Sequence, residues 1–305
     1  MTLMDGILNI DKPGGMTSHD VVALVRRVLK TKRVGHAGTL DPDATGVLVV
    51  AVGIATRLLP YLPTEPKEYV ARIAFGTATD TEDASGRVVT EADAWALTEA
   101  DLQGILAKFT GEIDQIPPMV SAVHHEGKRL YELAREGVTV ERAARRVTIH
   151  RIRMTDFAPG PKAEATLHIS CGGGTYIRTL CADIGAALSL PAHMKTLRRD
   201  GVGNFRREDA LPLSDMRDMN GQTIASDWLL PIERALDLPT VAVSDDEAIR
   251  VSRGQSVPAL LPPSQTEAVA LLHRERLLAI ARYDSGDFLP YRVFPGPFAE
   301  PPAAG

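Results

Sequence analysis

The stretch that decides the fold reads Gly35-His36-Ala37-Gly38-Thr39-Leu40-Asp41-Pro42-Asp43-Ala44-Thr45-Gly46, and the apolar run Val47 to Val52 follows it directly. The apolar run predicts a buried strand. Glycines allow the backbone to approach a ligand closely, and Pro42 favours an extended conformation of Asp41. Residues 34–46 are therefore predicted to form a loop that presents one carboxylate at the entrance of a buried strand.

Three amphipathic helices are predicted from apolar residues at the i, i+3, i+4, i+7 spacing. Thr17 and Asp20 form a capping-box pair before the first helix, and Thr98 and Asp101 cap the second. The apolar stripes are Val21, Leu24, Val25, Val28 and Leu29; Leu102, Ile105, Leu106 and Phe109; and Ile177, Leu180, Cys181, Ile184 and Leu188. The basic segment 128–136 is also predicted to be helical.

Strands are predicted where apolar residues alternate with polar ones, since one face of a strand repeats every second residue. The alternating sets are Tyr69, Ala71, Ile73 and Phe75; Ala165, Leu167, Ile169 and Cys171; and Val147, Ile149, Ile152 and Met154, with a bend in the last. After about Pro239, short strand-like runs separated by turns predict a small β domain. The irregular alternation of helices and strands predicts an α+β fold with a mixed or antiparallel sheet.

Composition sets the broad class of the protein. The chain has 305 residues, of which 44% are apolar, and it contains two cysteines, Cys171 and Cys181. Two cysteines ten apart favour neither a disulfide framework nor a zinc site, so a reducing, cytoplasmic location is expected. The N-terminus does not resemble a signal peptide, and no apolar run is long enough for a membrane span.

The net charge of −5 hides three basic stretches. Residues 12–33, 124–153 and 193–207 carry local net charges of +5, +4 and +4. Phosphate binding depends on local fields rather than on the total charge. The distribution is thus compatible with a nucleic-acid partner, although solvated faces would have the same composition.

Six motifs occur in order along the chain. The opening string resembles the GHxGxLDPxAxG motif of the TruB-type family of tRNA pseudouridine-55 synthases. The other matches are Asp11-Lys12-Pro13 with Gly15 and Thr17-Ser18; Lys67-Glu68-Tyr69; Gly76 to Gly86; the segments 115–123 and 127–137; and Gly174 to Leu180, followed by Leu197-Arg198-Arg199. The resemblance covers residues 5–207, and beyond residue 240 a weaker one indicates a small PUA-like RNA-binding domain.

The resemblance implies a domain organisation. Residues 1–239 would form a catalytic domain with the pseudouridine synthase fold, a mixed or antiparallel sheet flanked by helices, and a thumb-like insertion at about 124–150. Residues 240–296 would form the PUA-like domain, and 297–305 a flexible tail. One departure lies in the thumb, where His124 stands in place of the usual lysine.

The same resemblance implies roles for individual residues. Asp41 would be the nucleophile, Arg178 would keep its carboxylate ionised, and Tyr69 would stack on the uracil and could act as a base. His36 would fill the stack vacated by the flipped nucleotide. The remaining substrate-contacting or RNA-contacting candidates are Lys12, Pro13, Thr39, Tyr176, Leu197, Lys128 and Arg129.

The implied reaction is the isomerisation of uridine 55 in the T loop of tRNA. It removes no group and changes no oxidation state, so we expect no cofactor and no metal, in keeping with the lack of a GxGxxG or P-loop motif. The expected partner is the T arm of tRNA, with no membrane, no required protein partner and a monomeric state. The route, by attack at C1′ or by elimination, stays open.

Two other readings compete with the enzyme. A non-catalytic RNA-binding or tRNA-folding protein would explain the basic stretches, but an acid in a cleft for an anionic polymer costs affinity. A metal-free hydrolase built on His36 and Asp41 would lack a serine or cysteine nucleophile with a paired base.

Overall fold

The computed structural model describes residues 4–119, 121, 138, 140–259 and 268–294, with the backbone alone at 124–125 and 128–129. The predicted α+β class with a mixed sheet is confirmed, since a ten-stranded sheet carries helices and a separate five-stranded sheet follows near the C-terminus. The predictions for residues 130–137 and 295–305 lie outside the described residues.

The strands are β1 Gly6–Lys12, β2 Val34–Ala37, β3 Thr45–Val52, β4 Lys67–Phe75, β5 Thr77–Thr79, β6 Val88–Glu91, β7 Gly111–Gln115, β8 His124–His125, β9 Lys128–Arg129, β10 Arg145–Ala158, β11 Glu164–Cys171, β12 Ala192–Val202, β13 Phe205–Arg206, β14 Leu211–Pro212, β15 Thr240–Ala242, β16 Val257–Pro258, β17 Val269–His273, β18 Arg276–Asp284 and β19 Asp287–Val293. The helices are α1 Ser18–Val28, α2 Glu99–Leu106, α3 Ile177–Ala187, α4 Leu213–Met216, α5 Gly221–Asp227, α6 Ile232–Ala235 and α7 Asp245–Ser252, with 3-10 turns at Gly53–Tyr61, Ala107–Phe109 and Arg207–Asp209.

The main sheet runs in the order β14-β1-β3-β12-β4-β11-β10-β7, with β2 paired to β3 and β13 to β12. Most neighbours are antiparallel, but β12 lies parallel to β3 and β14 parallel to β1. The strand β3 is buried along almost its whole length because both of its faces are covered. Alternate residues of β3 belong to two different clusters, one of which packs against α1.

The first two long helices begin at the capping residues, as predicted. The Thr17 hydroxyl accepts from Asp20 N while the Asp20 carboxylate accepts from Thr17 N, and Thr98 and Asp101 form the same reciprocal pair. The predicted bend in β10 is a register shift between Ile149 and Arg151.

Two local predictions were wrong. Residues 34–37, expected in a loop, form β2, in which His36 lies opposite Val50. Lys128 and Arg129, expected in a helix, are paired in a two-stranded hairpin with His124 and His125.

The second sheet packs on the first through a shared apolar cluster. That cluster joins Ile7 and Val202 of the main sheet with Ala270 and Ile280 of the small one. The small sheet has the order β15-β17-β18-β19-β16. The domain boundaries and the PUA-like identity of this sheet stay predictions. Among the described helices, none combines the length and the apolar character needed to cross a membrane.

Candidate active site

The loop between β2 and β3 is tied down on both sides of Asp41. Ser18, at the start of α1, accepts a hydrogen bond from Leu40 N at 2.9 Å and donates to Leu40 O at 3.2 Å. The Lys12 ammonium donates to Pro42 O at 2.9 Å. Ala44 N donates to Asp41 O at 3.1 Å, which closes a turn after the carboxylate. The loop therefore holds Asp41 in one place.

Arg178, near the start of α3, meets the Asp41 carboxylate. Its Nε lies 3.0 Å from Asp41 Oδ2, and its Nη2 lies 3.5 Å from Oδ1. The same guanidinium donates to Thr81 O at 3.1 Å and lies 3.6 Å from Asp83 Oδ2. A cation with two carboxylates and a carbonyl around it has a fixed orientation, so it also fixes the Asp41 carboxylate.

The acidity of Asp41 results from opposing effects. Burial raises the pKa of its carboxyl above the ordinary 3.8, the nearby Arg178 lowers it, and the Asp83 charge raises it again. The net direction is upward. The expected lowering by Arg178 is therefore present, but burial outweighs it.

Tyr69 and Leu197 lie on neighbouring strands, β4 and β12, in one apolar cluster with Leu40 of the loop. Tyr69 is 7% exposed and Leu197 8% exposed. Burial raises the pKa of the Tyr69 hydroxyl, so the phenol is protonated at neutral pH. This cluster lies beneath the loop that carries Asp41.

His36 lies on β2, just before the loop. Its ring packs edge-on against His19, with ring centroids 6.0 Å apart. Burial, and then the neighbouring His19 and Arg199, lower its pKa, so the imidazole is neutral at pH 7. Among the described residues, its buried Nδ1 has no hydrogen-bond partner.

The remaining candidates differ in accessibility. Lys12 is fully buried, and its ammonium donates to the carbonyls of Pro13, Met16 and Pro42. Burial lowers the pKa of Lys12 to about 8. This geometry favours a role in shaping the pocket over direct contact with phosphate. Pro13 is exposed.

Thr39 is exposed on the loop between β2 and β3. The backbone of Tyr176, at the start of α3, forms two hydrogen bonds of 3.0 Å with the Gln115 side chain: Tyr176 N donates to Gln115 Oε1, and Gln115 Nε2 donates to Tyr176 O. The side chains of Lys128 and Arg129 lie outside the described residues.

Sequence reasoning did not assign roles to Ser18, Asp83 and Arg199. Ser18 and Asp83 were visible only as members of quoted motifs. Arg199 lies in a basic run of the sequence. It is, however, two residues after the buried Leu197, and alternate residues of a strand share one face, so it could have been placed on the interior face. No cluster of three or more metal-binding side chains occurs within the residues that the structure describes.

Comparison with protein families gives two matches. The N-terminal domain of the TruB family pseudouridylate synthases matches residues 26–177, and the C-terminal domain of tRNA pseudouridylate synthase B matches residues 178–237. The tRNA pseudouridine synthase B of Symbiobacterium thermophilum is 51% identical over 252 residues, which cover 82% of each chain. That of Moorella thermoacetica is 45% identical over 300 residues, 94% of this chain and 98% of the other.

Solved structures show the same architecture. A structure titled as an H/ACA RNP bound to a substrate RNA containing 2′-deoxyuridine matches with a TM-score of 0.73 and 25% identity, covering 98% of this chain and 88% of the other. A Cbf5-Nop10-Gar1 complex matches with a TM-score of 0.68 and 28% identity, covering 95% and 84%.

Proposed function

This chain belongs to the TruB family of pseudouridylate synthases, and on that premise we propose that it isomerises uridine 55 in the T loop of tRNA to pseudouridine with Asp41 as the nucleophile. The shared name of its relatives supports the coarser statement, that the enzyme converts uridine to pseudouridine in tRNA. The position in tRNA and the role of the aspartate are the parts that the experiments below address.

The observation that carries the proposal is the ion pair between a partly exposed carboxylate and a buried cation. The Asp41 side chain is 41% exposed, whereas that of Arg178 is 4% exposed. A carboxylate oriented from behind by a guanidinium can attack an electrophilic carbon from its free side. The exposed side of the Asp41 carboxylate is thus open to a substrate while Arg178 holds its other side.

The reaction breaks the N1–C1′ bond, turns the uracil and joins C5 to C1′. Whether the carboxylate attacks C1′ or starts an elimination, it must be ionised. The hydrogen on C5 leaves as a proton, and N1 gains one. Tyr69 is the group proposed to stack on the uracil. Its phenol is protonated at neutral pH, so it can relay the C5 proton only while giving up its own proton.

The uridine must leave its loop to reach Asp41. Flipping a base costs a few kcal/mol, and RNA loops allow it because their bases can be splayed and stacked on side chains. A neutral imidazole is suited to filling an aromatic stack, because it adds a flat ring without a charge to desolvate. We assign this role to His36.

A basic groove beside the catalytic loop supports RNA binding. It has a volume of about 550 Å³ and is lined by Arg198, Arg207 and Arg217 together with Asp11. Lys12 also borders it, but its ammonium is bound to three backbone carbonyls. Arg198 pairs with Asp200, and Arg207 lies near Asp11 and Asp200, so the two acids only partly neutralise the three arginines. We assign the groove to phosphates of the tRNA, and the C-terminal sheet to a further RNA contact, in a monomer that needs no protein partner.

The decisive experiment uses tRNA transcripts labelled with tritium at uracil C5, because isomerisation releases that hydrogen and binding alone does not. The unaltered protein should release tritium from a transcript with uridine at position 55. A transcript with cytidine at that position and label elsewhere should release none.

Asp41→Asn should abolish release while retaining tRNA binding and folding. The substitution removes a charge that burial disfavours, so the melting temperature should not fall. If Asp41→Asn released tritium as fast as the unaltered protein, Asp41 would not be the nucleophile. Tight tRNA binding by the unaltered protein without any release would favour the RNA-binding alternative.

A further inference from the structure

Arg199 is a charged residue in the interior of the protein. It lies on β12, is 1% exposed, and is the largest of the fully buried side chains among the described residues. Its Cα is paired with Tyr69 on β4 and with Gly46 on β3. It therefore sits between the strand that carries Tyr69 and the strand that the catalytic loop enters.

The Arg199 side chain connects the two ends of the catalytic loop. Its Nη2 donates to Gly38 O at 3.1 Å, before Asp41, and its Nε donates to Val47 O at 2.8 Å, after the loop has joined β3. Asp41 lies between these two carbonyls in sequence. A rigid guanidinium that binds both ends limits the movement of everything between them.

The backbone of Arg199 touches the same segment. A Cβ atom on Gly46 would lie 2.1 Å from Arg199 O, and Gly46 has a φ of +98°. Only glycine allows this approach at this conformation. The end of the loop is thus packed directly on Arg199.

Arg199 is also the strand partner of Tyr69, and its positive charge lowers the pKa of the Tyr69 hydroxyl, against the larger upward effect of burial.

The setting of Arg199 is costly for folding. Within the described ranges it forms no ion pair. Its charge lowers the pKa values of the neighbouring Lys12 and Lys67, in addition to the larger effect of burial. A buried cation held by carbonyls and close to other cations opposes folding, so stability alone does not account for it.

We propose that Arg199 is a positioning residue that holds the Asp41 loop and Tyr69 in a fixed relation to each other. The proposal rests on the function proposed above and deepens it. Arg199 does not touch the substrate, and it acts through the two residues that do.

Single-turnover rates and tRNA dissociation constants separate positioning from binding. Arg199→Met should slow the chemical step by about 100-fold, the effect of a displacement of about 1 Å in a catalytic group, with tRNA binding changed less than about twofold. Arg199→Lys keeps the charge but cannot bind both Gly38 O and Val47 O, so its rate should lie between those of Arg199→Met and the unaltered protein. Arg72→Met is the matched control, because Arg72 is an exposed residue of the adjacent β4 that pairs with Glu164.

A double-mutant cycle tests the link to Tyr69. If part of the effect of Arg199 depends on the Tyr69 hydroxyl, Arg199→Met should slow the chemical step by a markedly smaller factor in a Tyr69→Phe background than in the unaltered protein. Independent, multiplicative losses would overturn this part of the proposal. If Arg199→Met does not fold, the Arg199→Lys variant carries the same comparison.

Hydrogen exchange of the RNA-free protein gives a readout that does not depend on the reaction. Amides of residues 38–46 should lose protection in both Arg199 variants and keep it in Arg72→Met. Unchanged protection, or a loss of tRNA affinity equal to the loss of rate, would overturn the proposal. A protein that releases no tritium would refute the proposed function, while the exchange result would still decide whether Arg199 holds the loop.

Discussion

The ion pair between Arg178 Nε and Asp41 Oδ2, 3.0 Å long, joins a cation that is 4% exposed to an anion that is 41% exposed. The cation is the fixed member, because it also donates to Thr81 O and lies near Asp83. The anion is the member that is open to solvent. This asymmetry makes the two residues respond differently to pH and to substitution.

The first prediction concerns the acid limb of the pH–rate profile. Burial raises the pKa of Asp41 above 3.8, and the reaction requires the ionised form, so the rate should fall as pH is lowered through a value above that of a free aspartate. Single-turnover tritium release across pH 4 to 8 measures this limb. An apparent pKa at or below 3.8 would contradict the proposed environment of Asp41.

The second prediction concerns Arg178→Met. Arg178 is the largest influence that lowers the pKa of Asp41, and its loss leaves Asp83 to raise that pKa further. The acid limb should therefore move to higher pH, and the rate at neutral pH should fall by about 100-fold or more. Arg178→Lys, which keeps a charge, should move the limb less. A slow Arg178→Met variant with an unshifted limb would show that Arg178 acts on the RNA instead.

The third prediction separates stacking from chemistry. Stacking a base on an aromatic ring contributes about 1–3 kcal/mol, so His36→Ala should slow turnover by about tenfold and leave the reaction possible. His168→Ala is the control, because His168 is exposed on β11. If His36→Ala lost activity as completely as Asp41→Asn, His36 would be needed for the chemical step and not only for stacking.

The helix starts could be predicted from sequence because their causes are local. A capping box needs only two side chains three residues apart, so Thr17 with Asp20 and Thr98 with Asp101 were sufficient. The position of Asp41 at a strand entrance was also predicted correctly, because Pro42 and the following apolar run act within a few residues.

The strand β2 could not be predicted because its cause is not local. Residues 34–37 have no clear alternation, and they become a strand by pairing with β3, which follows the loop that carries Asp41. The burial of Arg199 was missed because its basic neighbours suggested a solvated face. Alternation from Leu197 indicates the interior face, but the carbonyls of Gly38 and Val47 that bind Arg199 lie 161 and 152 positions away and could not be predicted.

The fourth prediction concerns Gly46. Gly46→Ala would force a non-glycine residue to a φ of +98° and bring its Cβ to 2.1 Å from Arg199 O. The variant should lose about 2–4 kcal/mol of unfolding free energy in urea. Gly111→Ala is matched in φ, at +98°, but has open space around its Cβ, so it should lose only about 1–2 kcal/mol. Equal losses would show that the contact with Arg199 is unimportant.

The last prediction concerns a pair of acids behind the active site. Burial, and then the charge of Glu82, raise the pKa of Asp183 to about 6. Glu82 also has a raised pKa, from burial first, although the Thr179 hydroxyl donates to it at 2.6 Å. Because the folded state holds the Asp183 proton more tightly than the unfolded state, this group costs stability once pH exceeds about 6 and costs nothing below the unfolded value.

Asp183→Asn should therefore stabilise the protein at pH 7.5 and have little effect near pH 3.5. Asp183 is partly exposed, so solvent screening limits the gain to about 1 kcal/mol, or a rise of about 2–4 °C in melting temperature. Thermal unfolding of the two proteins at both pH values measures it. A gain of the same size at both pH values would mean that the effect comes from the amide itself and not from the lost charge.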